Sequence, residues 1–449
     1  MQFLSKESSQ FDYVEAINDC VVENKADLVA LGRKIHSHPQ LAFQETFAHD
    51  AITEFFDNDD FFKVTRNAYQ TLANGMSTAF LVEASAGTGG RLVVFNAEYD
   101  ALSFPDDGLL HACGHNLIAT ASVTGFLAAA TALKASGATD WRLRLLGTPA
   151  EENGGGKIIL IEEGAYNGVD ACLMVHPVPQ VSGQESIDGV AVTEFLASQR
   201  VGVSFVGTPS HAALAPWMGR NALDACVNAY VSISTLRGQI MPNQRICGII
   251  TEGGQATNVI PSKAEAWYGI RSKDKSELDA LRGRIETCIG AGAEAAGCKW
   301  ETTNSRPYLD LRSNGPMCKF FTDCMNQDFH RNFKETLEFD SSGSTDQGNV
   351  SYVCPSIQPA FAIETKESNH TAPFTAAADL EDSYERAMSC GKGLAAVAIR
   401  VVTDENFAKE VWKAFEDTVP KSEPPSVPGS DMGFGGFADC VMHTRPIGK

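Results

Sequence analysis

Between residues 89 and 179, three short apolar runs alternate with two helix-forming segments. "GGRLVVFNAEYDAL" reads as a buried strand, its apolar stretch Leu92–Phe95 following two glycines. "WRLRLLGTPAEENGGG" reads as a strand running into a glycine-rich turn, and "DACLMVHPVP" as a third strand. Between them, "NLIATASVTGFLAAATALKASG" reads as a buried helix with Asn116 as N-cap and Gly137 as stop, and "KIILIEEGAY" as a second helix. Strands that alternate with helices form a parallel sheet covered on both faces. In such sheets ligands bind beyond the carboxyl ends of the strands. Those ends here carry Glu98 and Asp100, then Glu151 and Glu152, then His176.

The rhythm changes near Phe195. "FLASQRVGVSFVG" alternates like a strand, "NALDACVNAYVSISTLRG" is an amphipathic helix, and "NQRICGIITEGG" and "SKAEAWYGIRS" are strands. "KSELDALRGRIETCIGAGAEAAG" is a helix and "CKWETTN" a strand. That order, βαββαβ, is the split ferredoxin-like unit. The expected organisation is an α/β catalytic domain in two parts, 1–194 and 309–449, with a compact domain at 195–308 inserted. Upstream, residues 26–57 look helical on both sides of Pro39. Downstream come "GPMCKFFTDCMNQDF", "PSIQPAFAI" and a last helix "DLEDSYERAMSCGKGLAAVAIRVVTD". The Pro/Ser/Gly-rich tail after Pro420 is expected to be an irregular covering segment.

Composition narrows the function. The 449 residues are 43% hydrophobic and 20% charged, which suits globular domains with large cores. The formal net charge is -20 and no basic cluster stands out, so nucleic acid and anionic membranes are not the expected partners. "MQFLSKESSQFDY" lacks the pattern of a secretory signal. The longest apolar stretch, "LIATASVTGFLAAATAL", is interrupted by Thr, Ser and Gly. Twelve cysteines are scattered without a CxxC pair, which favours reduced thiols and a cytoplasmic location.

The residues at the strand ends carry chemistry. His111, Cys113 and His115 lie within five residues, Glu151 adjoins Glu152, and His370 stands far downstream in "SNHTAPF". A divalent metal needs a few N, S or O donors whose acidic members lose their protons on binding. In an extended segment, Cys113 and His115 point to the same side. Adjacent glutamates at a turn point apart, so one can bind metal while the other holds a water, giving a Lewis acid and a general base. Each piece also has a plainer reading. A CxH is commonly a core cysteine beside a polar histidine, a Glu pair before glycines is commonly solvated, and His176 could be a satisfied core histidine. A structural zinc site would close with four ligands and leave no carboxylate idle. What favours a catalytic metal site is the coincidence of donors on one rim.

At this point the chain resembles the M20 metallopeptidase and aminoacylase family, in its amidohydrolase branch (subfamily D). The matching stretches are "IHSHPQLAFQE", "AEYDAL", "HACGHNLIA", "GTPAEENGGGK", "VHP", "GTPSHAALAPWMGRNALDA", "GGQATNVIP", "GSTDQGNVS" and "NHTAPF", in family order from about residue 35 to 374. The resemblance implies a site for two divalent metal ions held by Cys113, His115, Glu152, His176 and His370, with Cys113 bridging. Zinc is the first expectation, with manganese or cobalt as alternatives. It implies Glu151 as general base and Asp100 as an acid that orients a ligand. Glu98 falls where other branches place a histidine ligand, and His111 is assigned no metal. The inserted domain matches a lid and homodimerisation domain. His211 resembles the histidine that reaches a neighbouring active site to stabilise the oxyanion, and Asn258 and Arg271 resemble substrate-orienting residues. The implied activity is cleavage of a small-molecule amide: an N-acyl amino acid, an aminobenzoyl-amino acid or a dipeptide. Amide formation by the same site, and a non-catalytic binding role, remain open. One departure is "SFPDDGLL" at 103–110, longer and more acidic than the connection common in the subgroup.

Overall fold

The computed structural model describes residues 11–71, 75–337, 343–419 and 440–443. Helix α1 (Tyr13–His36) starts at Asp12, whose carboxylate accepts from the Val14 and Glu15 amides. It begins well before residue 26, where the apolar spacing first becomes regular. Then come α2 (Thr46–Phe56), β1 (Lys63–Arg66), β2 (Phe80–Ala86) and β3 (Arg91–Ala97). The acidic 103–110 stretch forms a hairpin of β4 (Leu102–Phe104) and β5 (Gly108–Leu110). After it come α3 (His115–Ser136), β6 (Trp141–Gly147), α4 (Gly156–Glu162), β7 (Ala171–Leu173), β8 (His176–Pro179) and β9 (Gly189–Val190).

The chain next builds β10 (Ala197–Val206), α5 (Ala222–Leu236), β11 (Arg245–Glu252), β12 (Lys263–Ser272), α6 (Lys275–Ala295) and β13 (Lys299–Ser305). It returns through α7 (Gly315–Gln327), β14 (Phe333–Lys334), α8 (Gln347–Val350), β15 (Ser356–Ile357), β16 (Ala360–Ile363), α9 (Ala372–Ala377), α10 (Glu381–Thr403) and α11 (Glu405–Thr418), with β17 (Cys440–His443) last. The described residues fall into two compact units. The first lies within Met1–Glu194, Arg312–Asp340 and Asn349–Ser426, and the second within Phe195–Leu311, Ser341–Gly348 and Val427–Lys449.

In the first unit a six-stranded sheet runs β1-β2-β6-β3-β7-β15. β6, β3, β7 and β15 are parallel, while β1 and β2 pair antiparallel, so the sheet is mixed rather than wholly parallel. Along β3, Val93, Phe95 and Ala97 face a core shared with α1, α3 and α10, while Leu92 and Val94 face a second core with α4. That alternation is the two-sided burial of a central strand. Helix α3 is long and apolar enough to cross a membrane by length and composition, yet every residue from His115 to Ala130 is buried. "DACLMVHPVP" is not one strand. β7 belongs to the six-stranded sheet, and β8 joins a smaller sheet of order β14-β9-β16-β8.

In the second unit the sheet runs β11-β12-β10-β13-β17, all neighbours antiparallel. Helices α5 and α6 pack on each other and on β12 and β10, burying Cys226, Ile233, Leu281, Ile285 and Ile289. The strand Cys440–His443 pairs with β13 of this unit, which corrects the assignment of all of 309–449 to the first domain. The rest of the tail after Pro420, read as an irregular covering segment, lies outside the described residues. The eleven cysteines from Cys20 to Cys390 are all free.

Candidate metal centre

Register brings the donors together. Ala97, the last residue of β3, is level with Gly147, the last of β6, and Phe95 is level with Leu173, the last of β7. Three adjacent parallel strands therefore end on one rim, and the segments leaving them carry Glu98 and Asp100, Glu151 and Glu152, and His176. Cys113 and His115 arrive on the same rim by a route different from the expected extended segment. Cys113 sits in a turn, Gly114 adopts φ 76° as helix cap, and His115 opens α3. A Cβ on Gly114 would lie 2.7 Å from Pro177, so both the angle and the space require glycine. Asn116 is therefore inside the helix. Its side-chain amide donates to the Ala378 carbonyl and the Tyr384 hydroxyl, tying α3 to the α9–α10 junction.

Donor atoms of Cys113, His115 and His176 lie within 4.8 Å of one another, as do those of Cys113, Glu152 and His370. Cys113 is common to both triads. A third group joins Glu98, His115 and Glu151 within the same limit. The structure thus brings together all five expected metal donors and Glu151. His370 reaches the cluster with φ 67°, its N–H donating to the Ala112 carbonyl at 2.7 Å. The Asn369 amide beside it donates to the Pro177 carbonyl at 3.2 Å. Asp100 links two parts of the rim: Oδ1 is 2.9 Å from His115 Nδ1, and Oδ2 accepts from the Glu152 N–H at 2.9 Å.

The electrostatics fit divalent ions. His115 Nε2 and Glu98 Oε2 are buried, stand 3.5 Å apart and make no hydrogen bond, a pattern expensive for a protein unless something else binds there. Burial opposes a charge on His115, but the charge and hydrogen bond of Asp100 and the Cys113 thiol hold its imidazole well above the usual range. Acidic side chains thus gather around one buried spot and draw a positive charge into it. Burial also opposes ionisation of Glu152, yet the hydrogen bond from His370 and the charge of His115 bring it down to about 2. Burial lowers His176 to about 4, leaving it neutral and ready to ligate. Burial pushes the Cys113 thiol well up, so it needs a cation to become a thiolate.

Two contributors have no donor motif and were not singled out by sequence reasoning. Lys157, fully buried on α4, donates to Glu98 Oε1 at 2.5 Å. Glu45, fully buried before α2, accepts from the Ala150 N–H at 2.9 Å and the Thr78 hydroxyl at 2.7 Å. Ala150 has φ 62°, a left-handed conformation that costs a non-glycine residue about 1–2 kcal/mol. Leaving its buried N–H unpaired would cost a comparable or larger amount, about 1–3 kcal/mol, so the Glu45 contact can hold the strained turn. The signal in the sequence was position alone: Glu45 ends "LAFQE" and Lys157 ends "GGGK".

The remaining expected residues lie in the second unit. His211 is exposed in a loop where its Nδ1 accepts from the Ala213 and Leu214 amides. The Asn258 carbonyl accepts from the Ala212 N–H, so His211 and Asn258 are neighbours. Arg271 stands near the far end of the ten-residue β12, level with Arg245 and Ser198, and is not brought beside that loop.

The profile of peptidase family M20/M25/M40 matches residues 93–442. The chain is 38% identical to the mouse (Mus musculus) Xaa-Arg dipeptidase over 404 residues, covering 87% of this chain and 89% of that protein. It is 30% identical to a p-aminobenzoyl-glutamate hydrolase component of Escherichia coli over 301 residues, covering 64% and 58%. Among solved structures, the fold matches the Bacillus subtilis YXEP protein, a dinuclear metal-binding peptidase from the M20 family. The TM-score is 0.61 at 19% identity, covering 85% of this chain and 99% of that one.

Proposed function

This chain belongs to peptidase family M20/M25/M40, and from that premise we propose a dinuclear metal-dependent amidohydrolase acting on small dipeptides, N-acyl amino acids or aminobenzoyl-amino acids. The observation that carries the reading is the pair of donor triads sharing Cys113, with Glu151 grouped beside His115. Cys113, His115, Glu152, His176 and His370 would hold two divalent ions, zinc first given the thiolate, with manganese or cobalt as alternatives. Bound there, the ions supply Lewis acidity and make a water more acidic. Glu151 takes the proton from the attacking water and passes it to the leaving amine. Asp100 fixes the His115 ring through Nδ1, leaving Nε2 for ligation. His211 of a partner subunit donates to the oxyanion, and Asn258 and Arg271 orient the substrate.

Two features support a leaving group that is cationic. The mouse relative is a dipeptidase for Xaa-Arg. The hairpin joining Asp100 to His111 exposes Asp106 and Asp107, and the chain is strongly acidic. Dipeptides ending in arginine or lysine therefore head the panel to be tested, followed by N-acetyl amino acids and aminobenzoyl-glutamate, with products read by mass spectrometry. The second unit is read as a ferredoxin-like lid and dimerisation domain, supported by its βαββαβ order and exposed Val227, Val231 and Ile249 on α5 and the edge strand β11. The deciding variant is Glu151→Gln. It should keep its metal by elemental analysis and lose about 10²–10⁴-fold in kcat. Turnover that survives this change would refute the mechanism.

A further inference from the structure

The turn that presents Glu151 is held from both sides by carboxylates of other segments. Ahead of it, the Ala150 N–H donates to Glu45 Oε1 at 2.9 Å; behind it, the Glu152 N–H donates to Asp100 Oδ2 at 2.9 Å. The two N–H groups flank Glu151, so these two bonds fix the direction in which its side chain leaves the backbone. Ala150 at φ 62° would relax to an ordinary conformation if released, and that rotation would re-aim the next residue. Glu45 is itself held: Oε2 accepts from the Thr78 hydroxyl at 2.7 Å, and the Tyr99 hydroxyl donates to the Thr78 carbonyl at 2.6 Å. Although Glu45 stands at the N-cap position of α2, its side chain makes no bond to that helix. Its side-chain bonds run instead to Thr78 and the catalytic turn.

We infer that Glu45 is a positioning residue for Glu151, clamping the strained Ala150 peptide so that the Glu151 carboxylate faces the metal-donor cluster. The inference rests on the reading of Glu151 as general base. The Glu45 carboxyl group bonds to Ala150 and Thr78 rather than to a metal-donor residue, so its loss should appear in kcat with KM and metal content preserved.

The test compares Glu45→Leu, which fills the space without an acceptor, with Glu45→Gln, which keeps an oxygen for the Ala150 N–H. Glu45→Leu is expected to lower kcat about 100-fold, the scale of a displacement near 1 Å, with KM within a few-fold and the metal-to-protein ratio unchanged. Glu45→Gln should restore kcat to within about threefold, because the acceptor is back. Hydrogen exchange of the segment from Gly147 to Gly156 should quicken in the Leu variant and stay slow in the Gln variant. Should the Leu variant fail to fold, Thr78→Val, which removes only the second clamp, is expected to give a smaller kcat loss of the same kind. Equal losses in both Glu45 variants, a loss that follows metal content, or quicker exchange with unchanged kcat would each overturn the assignment. Glu151→Gln run in parallel separates the two ideas: its retained turnover would refute the base, while the exchange data would still show whether Glu45 holds the turn.

Discussion

Lys157 is a fully buried ammonium whose partner, Glu98, is equally buried. Burial opposes the charge on Glu98, and Lys157, with His115, overcomes it and lowers its pKa. Breaking such a pair leaves an unpaired buried charge, which typically costs about 3–5 kcal/mol, whereas removing both charges costs far less. Lys157→Met should therefore sharply lower the urea midpoint, and Lys157→Met with Glu98→Gln should recover most of it. A double variant no more stable than the single one would show that the lysine matters for packing alone. Glu45 gives a pH signature. Burial, then the charge of Asp100, raise its pKa to about 8. A carboxyl group raised in the folded state adds stability that is complete below its unfolded value near 4.3 and is lost as pH climbs towards 8. Wild-type protein should thus lose stability relative to Glu45→Gln between pH 5 and 8 in denaturant titrations, and parallel pH curves would contradict the shift. Cys113, His115 and the glutamate pair are legible in the sequence because their residue types announce chemistry. Glu45 and Lys157 are not, because a glutamate or lysine gains its role only from long-range partners such as Ala150 and Glu98.

Element by element, legibility followed local pattern. Helix α3 is written in a long, mostly apolar stretch, and the strands and helices of the second unit in clear periodicity. The break between β7 and β8 was hidden, because a continuous apolar run does not record that the chain passes from one sheet to another at His176. So was α11, which Asp404 starts by accepting from the Asn406 and Phe407 amides directly after α10 ends. Pairing of distant helices was equally invisible, although glycines mark it. A Cβ at Gly391 on α10 would lie 2.7 Å from the Ala121 carbonyl oxygen and 2.7 Å from Thr124 Cβ, both on α3. One at Gly125 on α3 would lie 3.1 Å from the Gly391 carbonyl oxygen. The two backbones meet with no space for a methyl group, and α3 carries His115 at its first turn. Gly391→Ala is expected to cost about 1–3 kcal/mol through overpacking, read as a lower thermal midpoint. An unchanged midpoint would mean that α10 can shift freely against α3.

For the molecule as a whole, the division of labour between the two units decides whether one chain is sufficient. The metal donors and Glu151 all belong to the first unit, while His211, Asn258 and Arg271 belong to the second. On the second unit Val231 is 54% exposed and Ile249 62%, and β11 lies at the edge of its sheet, a natural place for a second copy to pair. If His211 serves the site of a partner, two individually inactive chains can complement each other. An H211A subunit keeps Glu151 and its own metal donors, and an E151Q subunit keeps His211. In a mixed dimer the H211A subunit would then hold one intact site, built from its own Glu151 and the partner's His211. Random mixing makes about half of the dimers mixed, each with one intact site of two, so roughly a quarter of all sites should recover. If His211 instead serves its own chain, every site in every dimer lacks one of the two residues and mixing restores nothing. Co-expression of the two variants with different tags, isolation of the doubly tagged species and measurement of its kcat distinguish the cases. Sedimentation of the wild-type protein as a fully active monomer would exclude the partner role before the variants are made.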